Sequence, residues 1–86
     1  MAAPVLIYST RVCPYCVRAK ALLDSKQVAY TEVMVDHDPG KLTEMMQKSG
    51  RRTVPQIFVG DRHVGGFDDL YMLDRSGGLD PLLAGG

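Results

Sequence analysis

With 86 residues, 45% of them hydrophobic, the chain can form one small domain spanning residues 1–86, but not two. Its ten basic and ten acidic residues give no net charge and no long basic run, which argues against a nucleic-acid partner. The charged fraction of 23% is well above that of a membrane segment, so we expect a soluble chain without a membrane partner.

The first half of the chain predicts two strand-helix units. Residues 5–9, VLIYS, are typical of a buried strand, and no signal-peptide pattern surrounds them, so we expect a cytoplasmic protein. A helix of about ten residues is predicted from Pro14, because apolar residues then recur at helical spacing. A second strand, AYTEVMV, precedes a second helix that is capped by Asp38 and ended by Gly50.

The second half predicts a hairpin followed by helical segments. Gly60 and Asp61 between QIFV and RHV are typical of a tight turn. FDDLYMLDRSGG predicts a third helix that stops at Gly77, and LDPLLAGG predicts a short terminal turn of helix. This order predicts an α/β fold with a four-stranded mixed sheet flanked by helices. A parallel pair is joined by a right-handed crossover, and an antiparallel hairpin extends the same sheet.

The only two cysteines, Cys13 and Cys16, lie in the turn between the first strand and the first helix. Ligands of such sheets bind beyond the carboxyl ends of the parallel strands, which is where this turn lies. Residues three apart on a helix have Cβ atoms about 5–6 Å apart, so a disulfide between them can form and open. The pattern therefore indicates a reactive pair.

Two other interpretations of the pair are less well supported. A structural disulfide would be disfavoured in the reducing cytosol, and it would close too short a loop to stabilise the fold much. A closed zinc site needs four ligands, and the other candidates, His37 and His63, are far apart in the sequence and expected to be exposed. We therefore predict no metal site.

The positions of the two cysteines predict different roles. Cys13 lies at the start of a helix, where free N–H groups and the helix dipole favour a thiolate, and Arg11, Arg18 and Lys20 add positive charge. Cys16 lies one turn further on the apolar face, where it would be protonated and shielded. We expect Cys13 to be the nucleophile and Cys16 to resolve the mixed disulfide.

Two further segments have both an ordinary and a functional interpretation. Pro55 begins a strand, a position that tolerates its missing N–H, and it would lie alongside the cysteine turn. Gly65 and Gly66 lead into a helix whose free N–H groups could bind a carboxylate, although from the sequence alone a hairpin end followed by an aspartate cap is the favoured explanation. Taken alone, these segments favour the ordinary interpretation.

The three motifs CPYC, TVPQIF and GGFDDL, at these separations, closely resemble the short dithiol glutaredoxins, particularly the bacterial glutaredoxin 3 group. The resemblance runs from VLIYS to GGLDPLL and implies a thioredoxin-like fold. It implies glutathione as the reducing co-substrate, no tightly bound cofactor, and glutathionylated or disulfide-bonded proteins as partners. Nothing in the sequence indicates an obligate dimer, so we expect a monomer.

The resemblance also implies a glutathione site. Val54, before a cis Pro55, would pair its backbone with the cysteinyl part of glutathione. The N–H groups of Phe67 and Asp68 would bind the γ-glutamyl carboxylate, and the Asp68 side chain would face the ammonium group. Many family members have a lysine where this chain has Thr10. The remaining implied residues are Tyr15, Thr53, Gly66 and a cation for the glycyl carboxylate, which is Arg11, Arg51 or Arg52.

Three other functions compete with a glutathione-dependent oxidoreductase. One is a redoxin reduced by a flavoprotein, although thioredoxins usually carry a tryptophan that this chain lacks. Another is an iron-sulfur carrier, in which two subunits hold a cluster through Cys13 and two glutathiones; relatives with that role usually have glycine or serine in place of Pro14. The last is a thiol-containing binding module without turnover.

Overall fold

The structure is a computed structural model that describes residues 3–85. It contains a four-stranded sheet and four helices, in the order that the sequence predicts. Their bounds are β1 Val5–Ser9, α1 Pro14–Ser25, β2 Thr31–Met34, α2 Pro39–Ser49, β3 Gln56–Val59, β4 Arg62–Gly65, α3 Phe67–Arg75 and α4 Leu79–Leu83.

The sheet has the strand order β2-β1-β3-β4. Strand β1 is parallel to β2 and antiparallel to β3, and β3 and β4 form the antiparallel hairpin. The predicted α/β class, with its mixed sheet, is therefore confirmed. Strand β2 is shorter than predicted, because Ala29 and Tyr30 precede the first pair, which joins Leu6 to Thr31.

Helix α2 shows why the local sequence determines the element boundaries. Asp38 caps its N-terminus by accepting a hydrogen bond from the Lys41 N–H at 3.1 Å, and Pro39 occupies the first helical position. Gly50 ends the helix with φ of 71°, in the left-handed region that glycine adopts without strain. All three signals were readable in the sequence.

The helices cover both faces of the sheet. Helix α2 packs on one face, where Met45 joins Tyr8 and Val35 in a buried cluster. Burial and a hydrogen bond of 2.5 Å to the Glu44 carboxylate raise the pKa of Tyr8 to about 12. The other face is covered by α1, α3 and α4, and its buried cluster comprises Val5, Ile7, Ala19, Leu23, Ile57, Val59, Leu70, Leu79 and Leu83.

This arrangement holds the cysteine turn at one edge of a packed scaffold. Alternate residues of β1 point into the two clusters, so both faces of this central strand are fixed by packing. The turn after β1 therefore starts from a rigid position. Within residues 3–85, no helix combines the length and the apolar character that crossing a membrane requires.

Candidate active site

Cys13 forms the N-terminal cap of α1. Its backbone is extended, with φ of −152° and ψ of 99°, and its sulfur accepts a hydrogen bond from the Cys16 N–H at 3.1 Å. Pro14 follows at the first helical position, where it has no N–H to satisfy, and the first turn contains no acidic residue. The positive end of this helix is thus directed at a sulfur atom rather than at a carboxylate.

The two cysteines are joined in a disulfide, and their Cα atoms are 5.1 Å apart. Their surroundings differ sharply. Cys16 is 1% exposed and faces the core, whereas Cys13 is partly exposed. An external thiolate therefore reaches the Cys13 sulfur much more easily than the Cys16 sulfur.

An open groove lies beside Cys13, between the start of α1, the segment before β3 and the start of α3. The Cys13 sulfur is 3.9 Å from the carbonyl oxygen of Val54, and the Val54–Pro55 peptide bond is cis. The groove volume of about 280 Å³ lies just below the roughly 300–1,000 Å³ range for small-molecule sites. Its lining residues are Tyr15, Arg51, Thr53, Val54, Pro55, Gly66, Phe67, Asp68 and Asp69.

The far wall of the groove is the N-terminus of α3. Gly66 caps the helix, and its N–H donates to the Asp69 carboxylate at 2.9 Å. This hydrogen bond, with a second from the Arg51 guanidinium at 3.0 Å, holds the pKa of Asp69 below its usual range. Among the hydrogen bonds of residues 3–85, none uses the N–H groups of Phe67 or Asp68, so both donors remain available to a ligand.

Aromatic side chains connect the two walls. The Tyr15 ring is 54% exposed and stacks on Phe67, with ring centroids 6.3 Å apart and planes 30° apart. The Arg18 guanidinium lies 5.5 Å from the centre of the Tyr15 ring, within cation–π range. These contacts attach the start of α1 to the start of α3 beside the disulfide.

Two cations expected around the sulfur have other partners. The Arg11 N–H and Nε bond the Asp36 carboxylate at 3.2 and 3.4 Å, and its guanidinium contacts the His37 ring. Lys20 pairs with Glu32 at 2.8 Å. Both acids come from β2 or the turn after it, so a scan of residues near the cysteines could not reveal them. Arg11 is not among the residues that line the groove, whereas Arg51 is.

The prediction that His63 is exposed was wrong. The β3–β4 register places His63 opposite Phe58, and the two rings stack with centroids 4.8 Å apart. His63 Nε2 lies 2.7 Å from the Gln56 side-chain oxygen, and partial burial lowers the pKa of the imidazole. His37 is exposed, as expected. No cluster of three or more possible metal ligands occurs in residues 3–85.

The sequence also resembles known proteins over nearly its whole length. The model of the Glutaredoxin family matches residues 5–64. This chain belongs to the glutaredoxin family. Membership, together with the Cys13–Cys16 pair, identifies it as a thiol-disulfide oxidoreductase.

Curated relatives agree with this assignment. Glutaredoxin 3 of Escherichia coli K12 is 58% identical over 81 residues, which cover 94% of this chain and 98% of that protein. A glutaredoxin of Pseudomonas aeruginosa is 52% identical over 81 residues, covering 94% and 96% of the two chains. The resemblance noted in the sequence is therefore confirmed.

Solved structures confirm the thioredoxin-like fold. A crystal structure of a buckwheat glutaredoxin–glutathione complex superposes with a TM-score of 0.86 at 33% identity, covering 94% of this chain and 76% of the buckwheat chain. The solution structure of a glutaredoxin from Brucella melitensis gives a TM-score of 0.85 at 49% identity, covering 96% and 90%. Both match the α/β architecture described above.

Proposed function

We propose that this glutaredoxin uses glutathione to reduce protein–glutathione mixed disulfides and protein disulfides. The observation that carries the proposal is the groove that begins beside the partly exposed Cys13 sulfur and ends at the N–H groups of Phe67 and Asp68. A tripeptide joined through its own sulfur to Cys13 would lie along this groove. The likeness to the buckwheat glutaredoxin–glutathione complex supports glutathione as that tripeptide.

The groove offers a partner for each end of glutathione. The Val54 backbone pairs with the cysteinyl part, as an added strand would. The γ-glutamyl carboxylate accepts from the Phe67 and Asp68 N–H groups, because a helix N-terminus favours an anion. The Asp68 carboxylate then faces the ammonium group. Tyr15 and Thr53 flank the peptide, and Gly66 and Pro55 complete the walls.

Two arginines, Arg51 and Arg11, are candidates for binding the glycyl carboxylate of glutathione. Arg51 lines the groove, where it shares Asp69 with the Gly66 N–H. Arg11 is paired with Asp36 in a separate surface region. We propose Arg51 as the main contact of the glycyl carboxylate. Arg11 is then expected to contribute less than Arg51 to the affinity for glutathione.

On a glutathione mixed disulfide, Cys13 works alone. Its thiolate attacks the glutathione sulfur, a Cys13–glutathione disulfide forms, and the target thiolate leaves and takes up a proton. The thiolate of a second glutathione attacks the glutathione sulfur of that intermediate, which forms oxidised glutathione and releases the Cys13 thiolate. The net reaction consumes one free glutathione, because the other half of the oxidised glutathione comes from the mixed disulfide itself.

On a protein disulfide, both cysteines take part. The Cys13 thiolate attacks one sulfur of the target, and the other target sulfur leaves as a thiolate. Cys16 loses its proton and attacks Cys13, which releases the second target thiol and closes the Cys13–Cys16 disulfide. Two glutathione molecules reopen that bond. The helix spacing of the pair makes this closure possible with little movement.

The remaining proposals concern the setting of the reaction. Glutathione acts as a co-substrate and no tightly bound cofactor is needed. The partners are glutathionylated or disulfide-bonded proteins. The chain is proposed to work as a single domain and a monomer in the cytoplasm, where the glutathione pool is mostly reduced.

The test is NADPH consumption coupled through glutathione reductase, with a small glutathione mixed disulfide as substrate. We expect turnover that needs both glutathione and Cys13, and that disappears in Cys13→Ser. Turnover with thioredoxin reductase, but none with glutathione, would contradict the proposal and indicate a redoxin served by a flavoprotein. The Cys16→Ser variant, assayed in the same way, is the control. It also lacks one thiol but keeps Cys13, so it should retain turnover.

A further inference from the structure

The groove wall formed by residues 51–55 lacks the hydrogen bonds that usually fix a chain segment. It connects α2 to β3 and belongs to neither. Within residues 3–85, the backbone–backbone hydrogen bonds of turns and loops include none from this segment. Side chains hold it instead. The Ser49 hydroxyl accepts from the Arg51 N–H at 3.0 Å, and the Gln56 amide binds Thr53.

The orientation of the Gln56 amide follows from its partners. Gln56 is fully buried, and its amide nitrogen donates to the Thr53 carbonyl oxygen at 3.0 Å and to the Thr53 hydroxyl at 3.1 Å. A carbonyl oxygen can only accept, so the NH₂ group of Gln56 must face Thr53. Its amide oxygen must then point the opposite way, toward β4.

That buried oxygen has one partner among the described residues, the His63 ring. His63 Nε2 is 2.7 Å away, and because the amide oxygen only accepts, Nε2 must carry a proton. The ring also stacks on Phe58. Loss of this donor would leave the Gln56 oxygen buried and unpaired, which is costly enough to make the amide reorient.

We propose that His63 is a positioning residue of the glutathione groove. By donating to Gln56 it fixes the amide that holds Thr53, and through Thr53 it fixes Val54, whose carbonyl oxygen lies 3.9 Å from the Cys13 sulfur. The inference deepens the proposed glutathione function and rests on it. His63 itself is not among the residues that line the groove.

The first test compares three variants in the coupled glutathione assay. His63→Phe keeps a ring against Phe58 but has no donor, and His63→Gln restores an N–H donor. Phe58→Leu loses the stacking but keeps the donor. Because the wall binds substrate rather than reacting, we expect His63→Phe to raise KM about five- to tenfold, the scale of one hydrogen bond, with kcat within about twofold. We expect His63→Gln to recover most of that loss, and Phe58→Leu to leave KM near the wild-type value.

The outcomes separate this inference from the proposed function. Wild-type turnover that is independent of glutathione would contradict the proposed function and, with it, the inference. Wild-type dependence on glutathione with an unchanged KM in His63→Phe would overturn the positioning role alone. A KM that rises equally in Phe58→Leu would also overturn it, because loss of packing would then explain the effect.

A second measurement does not depend on any variant folding. Long-range ¹H–¹⁵N correlation spectra of the wild-type protein report which imidazole nitrogen carries the proton. We expect neutral His63 to be protonated at Nε2, and its signals, with those of the Gln56 side-chain amide, to shift when oxidised glutathione is added. A His63 protonated only at Nδ1 would overturn the inference, since it could not donate to Gln56.

Discussion

The N-termini of α1 and α3 face the same groove but are capped in opposite ways. Helix α1 begins with a sulfur cap and has no acidic residue in its first turn. Helix α3 is capped by Gly66 and has Asp68 and Asp69 in its first turn, with the Asp69 carboxylate accepting from the Gly66 N–H. The positive end of the α1 dipole therefore acts on a sulfur atom, and the positive end of the α3 dipole acts on carboxylates.

The difference shows how one physical effect can serve two chemical purposes. The first turn of α1 contains no side-chain carboxylate. The positive end of its dipole therefore stabilises a thiolate at Cys13 rather than another anion. At α3, Asp69 accepts from the cap and from Arg51, which fixes the helix end while the Phe67 and Asp68 N–H groups stay free. In the proposed mechanism, the α1 terminus therefore reacts and the α3 terminus binds.

The largest expected effect comes from removing the α1 sulfur. Cys13→Ser should lower turnover on the order of 10³-fold or more, the scale of losing a catalytic nucleophile. Cys16→Ser, the matched variant three residues on, should keep activity on glutathione mixed disulfides and lose reduction of protein disulfides. Steady-state assays with both substrate types distinguish the two. Equal loss of both activities in Cys16→Ser would contradict the division of roles.

A substitution just before α3 should give the next largest effect. Gly65 has φ of 119°, and a Cβ there would overlap the Asp69 carboxylate that binds the cap. Gly65→Ala should therefore lower the free energy of unfolding by about 2–3 kcal/mol, measured by urea denaturation. Gly77→Ala is the control, because φ is also positive there, at 83°, but the added Cβ meets no atom within 4 Å. Equal losses would mean that the Asp69 contact does not matter.

Asp69 itself should have a smaller and pH-dependent effect. Asp69→Asn removes a capping carboxylate, and about 1 kcal/mol of stability should be lost near pH 7, with solvent screening limiting it because the group is half exposed. The pKa of Asp69 is lowered in the folded state, so its contribution is present above the usual carboxyl value of about 4 and disappears as the pH falls through the folded value. Wild type and variant should therefore converge in acid.

Asp68→Asn provides the comparison for this titration. Asp68 is in the same helical turn and makes no hydrogen bond to the cap. Urea denaturation of the Asp68 variant should show less than half of the Asp69 effect at pH 7. A gap between wild type and Asp69→Asn that persists unchanged to pH 3 would rule out the ionised carboxylate as its source.

The smallest expected effect separates the two arginines. Arg51→Gln should raise KM for glutathione a few-fold, the scale of one exposed charge contact, because Arg51 lines the groove. Arg11→Gln should change KM less, because Arg11 is paired with Asp36 outside it. Titration of both variants by isothermal calorimetry checks the order. A larger loss in Arg11→Gln would assign the glycyl carboxylate to Arg11 instead.

Most of the fold was predictable because local signals determine it. Asp38, Gly50 and the Gly60-Asp61 turn mark element ends through backbone chemistry that needs no distant partner. The groove residues that the family resemblance implied also lie together, except the candidate cations Arg11 and Arg52, which do not line the groove. What the sequence could not show are contacts between distant segments, such as Arg11 with Asp36. The stacking of His63 on Phe58 is another, because it depends on the exact strand register.

The most direct test of the account is the relative reactivity of the two cysteines in the reduced protein. Limiting iodoacetamide is added at pH 7, and the modified sites are identified by peptide mass spectrometry. We expect Cys13, which is partly exposed at a helix terminus without acidic residues, to be alkylated at least about tenfold faster than the buried Cys16. Equal rates, or faster alkylation of Cys16, would contradict the claim that the α1 N-terminus activates Cys13.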